Sequence, residues 1–168
     1  MEFRIGDHRE AEENGKTFKL IDRLMGRSNR AIRQMMFLLM EDLHRSANQE
    51  IIHGIKTGRV YRVTTISKKG NKHRRNHQAS APGETHANLT GALRRSLSWK
   101  VHGSDSAEFG YGVSTTGENE APEYADYVEF GTDKMEPRPT LKNELEHVDT
   151  KAQIYFNDAL TDEGFGGK

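Results

Sequence analysis

Apolar residues recur every three or four positions from about Phe18 to Ile55, with Ile32, Met36, Leu39, Leu43, Ala47, Ile51 and Ile55 on one stripe. That period predicts an amphipathic helix. Gly26, Ser28 and Asn29 interrupt it, so the pattern predicts a short helix before Gly26 and a long one from about Ser28 to Ile55. Thr57-Gly58 should end the helix, and the β-branched and aromatic residues between Arg59 and Ser67 read as a strand. Residues 67–87 are hydrophilic and lack either period, which predicts a long flexible basic loop that orders on contact with a partner. Asn88 to Arg95 reads as a short helix with Leu89 and Leu93 on one side.

Two strict alternations follow. Leu97, Trp99 and Val101 alternate with Ser96, Ser98 and Lys100, and Phe109, Tyr111 and Val113 alternate with Gly110 and Gly112. These predict two half-buried strands, and the Gly, Ser and Asp residues between His102 and Ala107 predict an antiparallel hairpin joining them. Residues 114–121 read as a polar loop. From Pro139 to Leu160 the positions Leu141, Leu145, Val148, Ala152, Tyr155 and Ala159 give a second helical stripe. The expected fold class is α+β. A small antiparallel sheet is packed by a long N-terminal helix and a C-terminal helix, in a single domain spanning 1–168. Residues 1–16 are expected as a polar arm or weak first strand around Phe3 and Ile5, and 161–168 as a frayed tail.

Composition narrows the function classes. Twenty-five basic and 25 acidic side chains leave no net charge, so there is no global pull toward DNA or an anionic membrane. Apolar residues make up only 33% of the chain, so much of it must be solvated or reserved for a partner. The absence of cysteine excludes disulfides and thiolate metal sites. No segment approaches the roughly twenty apolar residues that span a bilayer, so a soluble protein without a membrane partner is expected.

The strongest charge run is Lys68, Lys69, Lys72, His73, Arg74, Arg75 and His77. Such cations can neutralise phosphates, but the run holds no aromatic ring to stack on bases, so a solvated loop is an equal alternative. His73 and His77 would share a side of a helix as metal ligands, yet Gly70, Asn71 and the neighbouring cations argue for two exposed histidines. Asp126 and Glu129 have the spacing of an acid and base pair on a helix. No nucleophile or oxyanion donor accompanies them, so a polar helix face is expected. Gly110-Tyr111-Gly112 lacks the third glycine of a dinucleotide fingerprint, and no Gly-x-Ser-x-Gly elbow or phosphate loop occurs. Neither a catalytic residue nor a cofactor or metal site is expected, and the protein is read as a non-enzyme.

The densest local punctuation lies between Tyr124 and Leu141. Pro122 suits the first turn of a short helix, Gly131 suits its end, and Pro139 restarts a helix. Glu129 and Arg138 lie across this turn. A charge-assisted bond between them would fix a corner used in subunit contact, with two independent surface charges as the alternative.

Thr57-Gly58-Arg59-Val60-Tyr61, the segment Ala79-Ser80-Ala81-Pro82-Gly83-Glu84, the segment Thr90-Gly91-Ala92-Leu93-Arg94-Arg95-Ser96 and the Tyr124 to Leu141 block occur in that order. Together they resemble the tail-completion or neck proteins of long-tailed bacteriophages, also met as minor tail components. The resemblance spans roughly the middle and C-terminal two thirds of the chain. It implies a non-enzymatic virion protein, made in the host cytoplasm, that assembles as a homo-oligomeric ring with the hexamer as a candidate size. It implies as partners a head-tail connector protein and a tail terminator or tail tube protein, with transient contact to genomic DNA in the channel. The subunit and partner interface is expected at Arg59, Tyr61, Ser80, Pro82, Gly83, Glu84, Tyr124, Tyr127, Glu129, Phe130, Gly131 and Arg138. A DNA-facing role would fall to Lys68, Lys69, Lys72, Arg74 and Arg75. The alternatives are a tail-terminator ring capping the tail tube and a nucleic-acid-binding module using the basic loop.

Overall fold

The long apolar stripe is realised as one continuous helix, α1, running His8–His53 over 46 residues, roughly 70 Å at the α-helical rise. The structure is a computed structural model; it describes residues 8–103, 106–113, 120–146 and 148–165, with side chains from Met25 onward. Two sequence expectations are corrected here. Residues 8–16 are helical rather than an arm or strand, and the expected strand at Phe3 and Ile5 lies outside the described residues. Gly26 does not divide the helix, because one glycine costs only about 1 kcal/mol and the flanking turn is held from outside. Arg30 pairs with Glu163 at 2.9 Å, Gln34 donates to Asp162 at 3.0 Å, and Arg27 donates to the Glu163 carbonyl.

The helix ends at His53, one turn earlier than Thr57-Gly58 suggested, and Ile55 beyond it is 81% exposed. Met36, Leu39, Met40, Leu43, Ala47 and Ile51 form its buried stripe.

Strand β3 (Leu97–His102) and strand β4 (Ser106–Tyr111) form the expected antiparallel hairpin. Their register pairs Leu97 with Tyr111 and Trp99 with Phe109. Leu39, Met40 and Leu43 gather Trp99, Val101, Ala107 and Phe109 from the hairpin. Val148, Ala152 and Tyr155 reach the same cluster from the C-terminal helix. A second cluster joins Ala47, Ile51 and Leu97 to Phe109, Tyr111 and Leu141. The fold is therefore α+β, with its core between a long N-terminal helix, a hairpin and a C-terminal helix.

The short helix expected at Asn88 to Arg95 is shorter and later, α2 (Ala92–Ser96), which leaves Leu89 outside it and exposed, and the C-terminal helical stripe is divided into α4 (Leu141–Leu145) and α5 (Val148–Asp162). Residues 161–165 are anchored rather than frayed. Arg27 lies 4.8 Å over the Phe165 ring, and the Phe165 amide donates to the Leu160 carbonyl at 2.9 Å. The remainder of the expected frayed tail lies outside the described residues, as do residues 114–119 of the polar loop.

The largest correction concerns residues 67–87. Strand β1 (Val60–Ile66) pairs antiparallel with strand β2 (Lys72–Gln78), so the basic run from Lys72 onward is half of a β-ribbon, with Lys68 and Lys69 in its turn, while residues 79–87 are irregular as expected. Ser67 and Gly70 close the turn: the Gly70 amide donates to the Ser67 carbonyl at 2.9 Å, and Gly70 takes φ +82°. The two hairpins form separate two-stranded sheets, where one small sheet was expected. Nearly every β1 and β2 residue is exposed. Backbone pairing, supplemented by Thr65 donating to the His73 carbonyl at 3.4 Å and Gln78 to the Gly58 carbonyl at 2.9 Å, organises the ribbon without a packed apolar face, which explains why its sequence shows no apolar alternation.

Candidate interaction surface

The corner is built around α3 (Ala125–Phe130). Ala125 donates its amide to the Pro122 carbonyl at 2.8 Å, so Pro122 sits in the entering turn just before the helix. At the exit, Gly131 adopts φ +79°, ψ −176°, a region open in practice only to glycine. A Cβ there would meet the Met135 carbonyl at 2.7 Å. Thr132 and Met135 then form a bridge, and the chain doubles back until the Arg138 amide donates to the Val128 carbonyl at 2.8 Å.

The expected Glu129–Arg138 bond does not form. Buried Glu129 instead accepts the Thr140 amide at 2.9 Å and the Lys142 amide at 3.0 Å, satisfying the first turn of α4. It is thus neither a surface charge nor part of the polar helix face expected with Asp126, which is exposed. Arg138 donates from Nε to the Ser80 carbonyl at 3.1 Å and from Nη1 to the Glu136 carbonyl at 3.4 Å. Both charges fix the corner by holding backbone, each through different partners.

The four sequence blocks do converge. Glu84 accepts the Thr57 hydroxyl at 2.6 Å and the amides of Thr57 and Ala81 at 3.0 and 2.7 Å, which holds its carboxyl below the ordinary range. Gly58 passes so close beneath that an added Cβ would lie 2.6 Å from the Ala79 and Ser80 carbonyl oxygens. The Gly83 amide donates to the Pro137 carbonyl at 3.0 Å, strapping this segment to the corner. Between the blocks runs an open, mostly apolar groove of about 500 Å³, whose walls include Tyr61, Ser80, Leu93, Tyr124, Met135 and Arg138.

The expected interface residues therefore divide by role. Ser80, Glu84, Glu129, Gly131 and Arg138 hold the corner together internally. Arg59, Tyr61, Pro82, Gly83, Tyr124, Tyr127 and Phe130 are exposed, Phe130 at 77%. Arg59 lies 5.6 Å over the Tyr61 ring. Of the five expected DNA-facing cations, Arg75 donates to the Leu89 carbonyl at 2.7 Å, while Lys68, Lys69, Lys72 and Arg74 stand exposed on the ribbon. Arg62, Arg74, Arg75 and Asn76 line a shallow concavity there. His73 is exposed and His77 half-buried at the groove wall, both on β2.

A buried polar cluster was missed. His86 Nδ1 lies 2.8 Å from the Thr140 hydroxyl and 3.4 Å from the Tyr111 hydroxyl, and its Nε2 has no hydrogen-bond partner among the described residues. Burial, reinforced by Lys56, lowers the His86 pKa to about 4, so the ring is neutral. Burial pushes the Tyr111 hydroxyl pKa upward. The only sequence signal was a histidine beside small residues, and its partners lie 25 and 54 positions away. Among the described residues no group of three His, Asp or Glu side chains could hold a metal ion, and no helix is long and apolar enough to cross a membrane. No protein-family model, curated protein or solved structure matches the chain.

Proposed function

We propose that this chain is a structural subunit of the bacteriophage head-tail junction, a tail-completion or neck protein that acts by assembling and matching surfaces. The order of its four sequence blocks supports the reading, and those blocks meet around one corner and groove. The observation that carries it is the surface a single copy leaves uncovered. Tyr124, Tyr127 and Phe130 project from a rigid corner, and a ribbon exposing Val60, Tyr61 and Ile66 stands beside it. A chain poor in apolar residues that leaves these outside its core is built for a contact between subunits.

The corner's polar groups serve that role by rigidity. Glu129 and Arg138 are spent on backbone bonds, so the exposed rings are presented in a fixed arrangement and little ordering entropy is lost on contact. Imaging of the purified protein, alone and with connector and tail tube proteins, tests the proposal. Rings that join these components are expected. A chain that never associates with either component would refute it.

A further inference from the structure

The ribbon from Val60 to Gln78 carries Arg62, Lys68, Lys69, Lys72, Arg74 and Arg75 and no carboxylate. Because the whole chain is balanced, the remainder holds 19 lysines and arginines against 25 carboxylates. Part of that excess is concentrated at the corner. Glu120, Glu123, Asp126, Asp133 and Glu136 are exposed there, with Lys134 as the exposed cation among them. Among the described ion pairs, none uses these five carboxylates or the ribbon's lysines and arginines.

Apolar surface is matched in the same way. Val60, Tyr61 and Ile66 are exposed on the ribbon, and Tyr124, Tyr127 and Phe130 stand among the carboxylates of the corner. The two patches do not cover each other within one copy. The ribbon base, at Tyr61 and His77, faces the corner across the open groove, while seven-residue strands carry the tip about 20 Å beyond it. A two-stranded hairpin with no packed face is marginally stable in water, so contact along its length also stabilises its pairing.

We infer that the basic ribbon of one copy docks on the acidic, aromatic corner of a second copy of this chain. The contact joins two different patches, so each copy keeps a free ribbon at one end and a free corner at the other. Repetition of such a head-to-tail contact gives a ring when the rotation closes. The inference rests on the assembly reading above and assigns its surfaces. A polyphosphate is the poorer occupant, since it would leave Val60, Ile66 and the corner's rings uncovered and the corner's carboxylates unpaired.

Charge reversal tests this in the full-length chain. One variant combines Lys68→Glu, Lys69→Glu and Lys72→Glu, and the other combines Glu123→Lys and Asp126→Lys. None of these side chains makes a described internal bond, so circular dichroism should match the unaltered protein. Sedimentation velocity near physiological salt is expected to show each variant losing the oligomer. An equimolar mixture should regain it, because each reversed ribbon then meets an oppositely charged corner. An oligomer untouched by either reversal would overturn the docking while leaving the assembly proposal standing. Oligomer loss in both variants without recovery on mixing would overturn the pairing of these two patches. Binding of duplex DNA that disappears with ribbon reversal, with the oligomer intact, would assign the ribbon to nucleic acid instead.

Discussion

Replacing Glu129 with alanine should destabilise the protein more than any other single change of a charged residue at the corner. Its two oxygens accept the amides of Thr140 and Lys142 at 2.9 and 3.0 Å, and both Glu129 and Thr140 are buried. Hydrogen bonds to a charged group contribute about 1.5–3 kcal/mol each, and truncation leaves a buried amide without an acceptor. Incomplete relaxation and some water entry at the partly exposed Lys142 amide bring the expected loss to about 3 kcal/mol. Urea denaturation followed by circular dichroism should show the midpoint fall with little change in slope. Arg138→Ala loses a bond to the Ser80 carbonyl and should cost about 1–2 kcal/mol. Because no hydrogen bond joins the two side chains, the coupling in the double variant should stay below about 1 kcal/mol. A loss below about 1 kcal/mol for Glu129→Ala, or a coupling well above 1 kcal/mol between the two sites, would refute this reading of the corner.

Gly131→Ala should cost at least about 1–3 kcal/mol, because φ +79° with ψ −176° is strained for alanine and the new Cβ meets the Met135 carbonyl; a melting temperature equal to wild type would contradict this. Leu43→Ala, at a fully buried position between helix and hairpin, should cost about 2–5 kcal/mol in chemical denaturation. His86 makes stability depend on pH. The unfolded chain takes up this proton near pH 6.5 and the folded chain only near pH 4, so unfolding binds the extra proton between those values. Stability should therefore fall by up to about 3 kcal/mol as the pH drops from 6.5 toward 4 and be unaffected by this group above 6.5. That component of the pH slope should be missing in a His86→Asn variant, and identical slopes for the two proteins would show that His86 is not the cause.

Features that bury an apolar face were legible in the sequence. The 97–101 and 109–111 alternations appear as β3 and β4 in register, and the helical stripe from Met36 to Ile51 is the buried face of α1. Gly131 was legible as a stop because a positive φ was needed at a helix end, although its ψ lies outside the left-handed helical region. Half of the ribbon was legible, since the β-branched run between Arg59 and Ser67 is β1; Lys72 to Gln78 was not, because a strand with nearly every residue in solvent carries no period. Glu129 misled for another reason. A charge near an opposite charge in sequence suggests an ion pair, yet amides 11 and 13 residues away took both of its oxygens. Residues 161–165 looked frayed because the arginines that anchor them, Arg27 and Arg30, lie more than 130 positions earlier.

The mass of the purified chain in solution reports directly on whether copies of it dock on one another. Sedimentation equilibrium near physiological salt should give a closed multiple of 19.1 kDa that dissociates as salt is raised. A mass of 19.1 kDa at every concentration and salt condition would contradict self-docking of ribbon on corner.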